Sequence, residues 1–312
     1  MTSYRNALFI LRTDIMKRFL LILMAVICAG TAFGAGKPKE APVHKLLTAN
    51  VRITGLEADE KPGLRWSDRR EACVEAILRE KPDIIFTQEM IYESYRDLKK
   101  AFKGYAAFGF EGPEMDPYTD GYHYIGKNVI FYNTKRYEMV GGGTYWFSDT
   151  PLMGGSNAWE SARARHCNYL RLVDRKTGKQ FRVLDVHLDH ISDKARGEQA
   201  KLIVEETGQY AADFPQIMCG DFNSGIKDIP YALFTAAGWK EMWETVNGHK
   251  EYGFTAHAFK GAQYKPKKTS RRIDFMYYRG DIEVLSSRVI DEKVKGVYPS
   301  DHYFVVSEIR IK

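Results

Sequence analysis

The chain has 312 residues, 44% of them hydrophobic and 28% charged, with a formal net charge of +6. Those fractions belong to a globular protein and exclude a disordered, collagen-like or repeat-built chain; the length fits one large domain or two small ones. The charge is too modest and too dispersed to argue by itself for a nucleic-acid partner, which usually needs a concentrated basic patch.

Lys17 and Arg18 precede an apolar run from Phe19 to Ala29, and Ala32-Phe33-Gly34 fits the small-x-small pattern of a cleavage site. Residues 1–34 are therefore expected to be a secretory signal peptide, with Met16 as an alternative start, and 35–42 a short polar linker. The run is too short for a comfortable membrane span. A lipid-anchored Cys28 is the weaker reading, because Val26 and Ile27 are bulky where small residues are wanted. The leader carries four basic residues against Asp14, so the exported chain keeps a net charge of about half the total. Three cysteines then remain, Cys73, Cys167 and Cys219. Their odd number and scattered spacing argue for buried small hydrophobes, not a disulfide framework.

From 43 to 312 no linker interrupts the pattern, and one domain is expected. His44 to Ile53 reads as a strand. Ser67 is a candidate N-cap for a helix to about Glu80 that Pro82 ends, followed by an apolar strand from Asp83 to Gln88. A second helix is expected over about Glu93–Phe102. Strands follow at about Tyr105–Gly109, Asn128–Tyr132, Tyr137–Phe147, His166–Asp174 and Phe181–Leu188, with Asp174–Gly178 as a hairpin turn. Asp193 to about Ala212 has helical spacing. Gln216–Gly220 is a strand, and Asp228–Ala237 a helix ended by Gly238. The tail reads as strands at Arg272–Tyr278, Ile282–Ile290 and Tyr303–Ile311. More strands than helices implies two packed sheets with helices outside.

Polar residues sit where these strands end. Asn50, Gln88-Glu89, His187, Asp221 and Asn223 each close an apolar run, Asp274 lies inside Ile273-Asp274-Phe275, and Ser300-Asp301-His302 precedes the last strand. An Asp after a Gly is usually a turn former, and a lone His usually a satisfied core or surface residue. Asp274 between apolar neighbours is harder to dismiss, because a buried charge needs a cation or a histidine beside it.

Taken in order, six pieces carry a resemblance: Thr48-Ala49-Asn50-Val51-Arg52, Pro82-Asp83-Ile84-Ile85 leading to Gln88-Glu89, His187-Leu188-Asp189-His190, Gly220-Asp221-Phe222-Asn223, Arg272-Ile273-Asp274-Phe275 and Tyr298-Pro299-Ser300-Asp301-His302. Together the chain resembles a secreted bacterial member of the endonuclease/exonuclease/phosphatase superfamily. The resemblance implies a four-layer α/β sandwich, two mixed β-sheets packed face to face with helices outside. It further implies a metal-dependent phosphoesterase working by in-line attack of an activated water on a phosphodiester or phosphomonoester. Glu89 is the implied ligand for Mg²⁺, with Mn²⁺ as an alternative, and Asn50 and Asp301 are its companions. Asp274 would orient His302, Asp221 would hold the attacking water with Asn223 beside it, and His187 would donate to a phosphoryl or leaving-group oxygen. Which histidine is the base is open.

The chain departs from the family pattern just before the strand that begins Gly126-Lys127-Asn128, where many members carry a glutamate. That leaves His187 without its carboxylate partner, and Asn128 is read as a polar substitute. Arg165 is the expected phosphate clamp, with Arg163 as the alternative, and His190 is a further substrate contact. Pro117–Tyr124 carries rings suited to stacking, and Lys265–Arg272 is basic enough to meet extra phosphates. No apolar hairpin of a membrane-attacking kind is read. A phosphorylated small molecule or a nucleic acid is the expected substrate, so a secreted nuclease is the alternative enzyme; a catalytically inert binding protein on the same fold is the alternative of another class. A monomer with no stable protein partner and no transmembrane segment after leader removal is expected.

Overall fold

In a computed structural model, residues 40–113, 115, 126–248, 252–265 and 271–312 are described. The leader, most of the linker, the whole aromatic segment Pro117–Tyr124, and Lys267 and Lys268 lie outside these residues. The elements run β1 (Val43–Asn50), α1 (Trp66–Leu78), β2 (Ile84–Met90), α2 (Tyr92–Ala101), β3 (Tyr105–Phe108), β4 (Lys127–Asn133), β5 (Tyr137–Trp146), β6 (His166–Asp174), β7 (Gln180–His187), α3 (Asp193–Thr207), β8 (Gln216–Asp221), α4 (Ile229–Ala236), β9 (Lys240–Glu241), α5 (Met242–Asn247), β10 (Asp274–Arg279), β11 (Ile282–Ile290) and β12 (Phe304–Ile311).

The strands form two six-stranded sheets, ordered β11-β12-β1-β2-β4-β3 and β5-β6-β7-β8-β10-β9. Each sheet has one parallel pair near its centre, β1 with β2 and β7 with β8, and antiparallel neighbours outside it. A parallel pair needs a crossover long enough to return the chain, and α1 and α3 supply it. Ile84, Ile85 and Phe86, and likewise Ile217, Met218 and Cys219, are buried on both faces, as a central strand between sheet and helix layers requires.

Three apolar clusters define the layers. Leu46, Ile84, Phe86 and Ile130 meet Leu170, Val183, Ile217 and Met276 between the sheets. Ala72, Cys73, Ala76 and Ile77 of α1 and Tyr95 and Leu98 of α2 cover the outer face of the first sheet. Ala200 and Ile203 of α3 and Phe234 of α4 cover the second. The arrangement is a four-layer α/β sandwich. Cys73, Cys167 and Cys219 are all buried thiols.

Some boundaries move for local reasons. Ser67 does not cap α1: Arg65 is the N-cap residue, with no side-chain cap, and the Ser67 hydroxyl turns to Asp68 within the first turn. Helix α3 stops at Thr207, short of Ala212, because the Thr207 hydroxyl donates back to Ile203 O at 2.7 Å and Gly208 follows. The short β9 and α5 fall between Gly238 and Arg272, where no element was expected. They are held by Glu241, whose carboxylate accepts from Trp243 N and Glu244 N and from both terminal nitrogens of the Arg272 guanidinium.

Candidate active site

Strand direction brings the polar residues together. In the two parallel pairs, β1 ends on Asn50, which pairs with Gln88 just before Glu89, and β7 and β8 end on His187 and Asp221, which pair directly in register. Antiparallel β10 begins opposite Asp221 with Asp274. The open end of both sheets is thus lined by carboxylates and imidazoles over a cleft of about 330 Å³, bounded by Arg52, Ile53, Leu56, Glu89, Gly126, Arg163, Arg165, His187, His190, Asp221, Asn223 and His302.

Three residues there, Arg52, Glu89 and Asn223, hold left-handed backbone (φ 61°, 62° and 47°). Each costs roughly 1 kcal/mol, and such strain gathers where a side chain must be aimed against the local pattern. At Glu89 it coincides with a bulge against β4 between Thr87 and Met90. Gln88 points between the sheets, where its amide donates to Asp185 at 2.7 Å, while Glu89 turns to the cleft. Gly126 makes room: a Cβ there would meet the Glu89 Cα at 3.0 Å.

Asn50 Nδ2 donates to Glu89 Oε1 at 3.0 Å and to Asp221 Oδ2 at 3.1 Å, and Ile53 N donates to Glu89 Oε2 at 2.8 Å. Burial alone would raise the Glu89 carboxyl; the His302 cation and these donors hold it below the usual range. Asp301 pairs with Arg52 at 3.2 Å, and Arg52 also grips Asp59 at 2.8 Å. Burial raises the Asp301 carboxyl, with Glu89 adding repulsion and His302 and Arg52 opposing.

His302 Nδ1 lies 2.9 Å from Asp274 Oδ2, and its Nε2 lies 3.9 Å from Asp221 Oδ2. Burial works against its charge, but Asp274 and Asp221 raise its pKa well above 6.5, which favours the imidazolium form. His187 behaves oppositely. Burial, then Arg165 and His302, lower it well below 6.5, although its Nε2 lies 3.5 Å from Asp221 Oδ2. Asp221 itself is pushed up to about 7 by burial and by Asp274. Asn223 N donates to Asp221 Oδ1 at 2.9 Å, and the Asn223 amide donates to Leu188 O at 3.0 Å, fixing the turn after β8.

Glu89, His187 and Asp221 bring their ligand atoms within 4.8 Å of one another, as do Asp221, Asp274 and His302. One imidazole among several carboxylates is a hard, oxygen-rich set that suits Mg²⁺ or Mn²⁺ better than zinc. The sequence reading grouped Glu89 with Asn50 and Asp301 instead. In the structure Asn50 aims its NH₂ at two carboxylates and its carbonyl at Arg52 N, so its oxygen faces away from them.

Arg163 and Arg165 both line the cleft, and Arg165 Nη2 lies 3.3 Å from His190 Nδ1. Their segment is anchored by Asp189, whose carboxylate accepts from Ser161 Oγ, Ala162 N, Ile191 N and Ser192 N at 2.7 to 3.0 Å. Asn128 requires a correction. It is buried between the sheets, its amide donating to His166 O and Asp185 O at 2.9 and 3.3 Å, and it does not line the cleft. The register of β4 turns it inward, so it neither replaces the missing glutamate nor lines the cleft; among the described residues His187 Nδ1 has no hydrogen-bond partner.

Of the basic stretch, Arg272 is fixed by Glu241 and Arg271 by Asp228 at 2.8 Å, and Lys265 is exposed away from the cleft lining. The chain does present an apolar tip after β5, with Leu152 and Met153 largely exposed. Arg52 was missed as a site residue. Nothing in its spacing separates it from a surface arginine after a strand; only the fold brings Asp301 to it.

The family model for the endonuclease/exonuclease/phosphatase family matches residues 47–302. The chain belongs to the endonuclease/exonuclease/phosphatase family. A family protein from Bacteroides thetaiotaomicron is 25% identical, with a TM-score of 0.77 over 88% of this chain and 100% of that one. A mannosyl-6-phosphatase from Bacteroides thetaiotaomicron is 26% identical, with a TM-score of 0.74 over 85% of this chain and 99% of that one. Nocturnin of Drosophila melanogaster is 27% identical over 179 residues, 54% of this chain but only 26% of nocturnin's own length.

Proposed function

We propose that the protein is an exported, Mg²⁺-dependent phosphoesterase that hydrolyses a small phosphorylated molecule, a phosphomonoester of a sugar or comparable polyol. The observation that carries this is the cleft itself. It gathers Glu89, His187, Asp221 and His302, the last backed by Asp274, with Arg163, Arg165 and His190 around a volume of about 330 Å³. That volume suits a single sugar-sized ligand. The likeness to a mannosyl-6-phosphatase over nearly its whole length favours a monoester over nucleic acid.

The roles follow from charge. Asp221, poised at about 7, accepts the proton of the attacking water, with Asn223 N fixing its other oxygen. The His302 imidazolium, oriented by Asp274, stabilises charge on the phosphoryl oxygens together with Arg163 and Arg165. Neutral His187 donates a hydrogen bond to phosphate. A divalent cation held through Glu89 would supply the remaining neutralisation of phosphoryl charge.

Release of inorganic phosphate from sugar phosphates, set beside cleavage of a simple phosphodiester and of single-stranded DNA, tests the substrate class. Monoester turnover should exceed diester turnover at least tenfold; a preference for DNA would move the protein to the nucleases. Export rests on the Lys17-Arg18 and Phe19–Ala29 pattern. N-terminal sequencing of the protein from its native host should begin near Ala35, and an intact Met1 or Met16 would reject the leader. Among the described residues no helix is long and apolar enough to cross a membrane.

A further inference from the structure

Arg69, in the first turn of α1, is 1% exposed. A buried guanidinium costs several kcal/mol unless its donors are satisfied. Its Nη1 donates to Val51 O at 2.6 Å and Pro299 O at 3.0 Å, its Nη2 to Arg52 O at 3.0 Å, and its Nε to Leu64 O at 3.0 Å. None of these acceptors is a carboxylate. The charge is also sandwiched near the rings of Trp66 and Phe259, 5.0 and 5.6 Å from their centroids. A salt bridge would stabilise one contact; this fork joins three chain segments that meet nowhere else in sequence.

Two of those segments carry the cleft's carboxylate-facing residues. Val51 and Arg52 directly follow Asn50, and Pro299 lies two residues before Asp301. Arg52 ties the same two segments from the cleft side through Asp301, and Ile53, the next residue, donates to Glu89.

We propose that Arg69 is a positioning residue for the cation centre: from beneath, it fixes the spacing between the backbone after Asn50 and the backbone before Asp301, and so, through Asn50 and Ile53, which donate to it, the aim of Glu89. A planar fork with fixed donor directions does this where a flexible ammonium cannot. The inference rests on the reading that a divalent cation binds at Glu89.

The test is a Mg²⁺ titration of the purified chain, followed by tryptophan fluorescence and by the rise in Tm, for the wild type, Arg69→Lys, Arg69→Met and a control, Arg182→Met. Arg182 is an equally buried guanidinium, paired with Glu206 far from the cleft lining. Both Arg69 variants should raise the Mg²⁺ midpoint about tenfold or more, the range seen when supports behind metal ligands are removed. Their kcat should recover towards wild type at saturating Mg²⁺. Arg182→Met should lower Tm without moving the midpoint. Should Arg69→Met fail to fold, Arg69→Lys, which keeps the charge and loses the fork, decides the matter. A folded Arg69 variant with a wild-type midpoint, or a midpoint shift of equal size in Arg182→Met, overturns the proposal. A wild-type chain that shows no response to Mg²⁺ overturns the cation reading and the proposal with it.

Discussion

Glu89→Gln should reduce phosphoester hydrolysis by roughly a hundredfold or more while leaving the fold intact. The substitution keeps shape and removes the charge that the surrounding donors are arranged to hold. Asn50 Nδ2 and Ile53 N each donate to one carboxylate oxygen, and Arg52 and His302 lie close enough to depress its pKa. An amide in that place offers only one acceptor to two donors, and it contributes nothing to cation binding. Two readouts separate the causes. Circular dichroism and Tm report the fold, and the Mg²⁺ concentration at half-maximal rate reports the site. The variant should need far more Mg²⁺ than the wild type. Unchanged activity in the variant would remove Glu89 from the centre.

His302→Ala and Asp274→Asn should each lower kcat by roughly a hundredfold to ten-thousandfold, and the double variant should be little worse than the worse single one. Residues that act through one another lose their effect together. Asp274 Oδ2 sits 2.9 Å from His302 Nδ1, and the carboxylate is the first of the influences that raise the imidazole. Removing that charge lets His302 fall back towards 6.5. The sign is then fixed. If the imidazolium is the working form, Asp274→Asn loses activity as pH rises through about the ordinary histidine range, whereas the wild type stays protonated and active there. A residual rate that climbs over the same range would make His302 a base instead. The stability linkage runs the same way. The pair's contribution is fully present below the unfolded histidine value and is lost as pH rises through the raised folded one. Losses that multiply in the double variant would separate the two residues.

Much of the architecture was legible because the strongest signal in the chain is apolar runs closed by polar residues. The strands Ile282–Ile290 and His166–Asp174 were read to the residue, since much of each alternates buried with more exposed residues, the period of a strand with one covered face. The same logic marked Asn50, Glu89, His187, Asp221, Asn223, Asp301 and His302, and the structure gathers them at one end of two sheets. What escaped was whatever depends on direction or on distant partners. Asn128 sits inside the strand that the expected glutamate would precede, and only the register of β4 against β3 and β2 turns its amide between the sheets. Arg69 and Arg52 are ordinary helix and loop arginines in sequence; their acceptors Pro299 and Asp301 lie near the other end of the domain. The short β9 and α5 owe their form to Glu241 and Arg272, a tertiary pair that local propensity does not encode.

The most direct test of the central claim is phosphate release from a sugar 6-phosphate by the purified wild-type chain, measured after removal of metal with EDTA and again as Mg²⁺ is returned. The account predicts no detectable release without metal and a saturable recovery with Mg²⁺ or Mn²⁺. Release that persists undiminished in EDTA, or no hydrolysis of any phosphate ester at saturating metal, would contradict it.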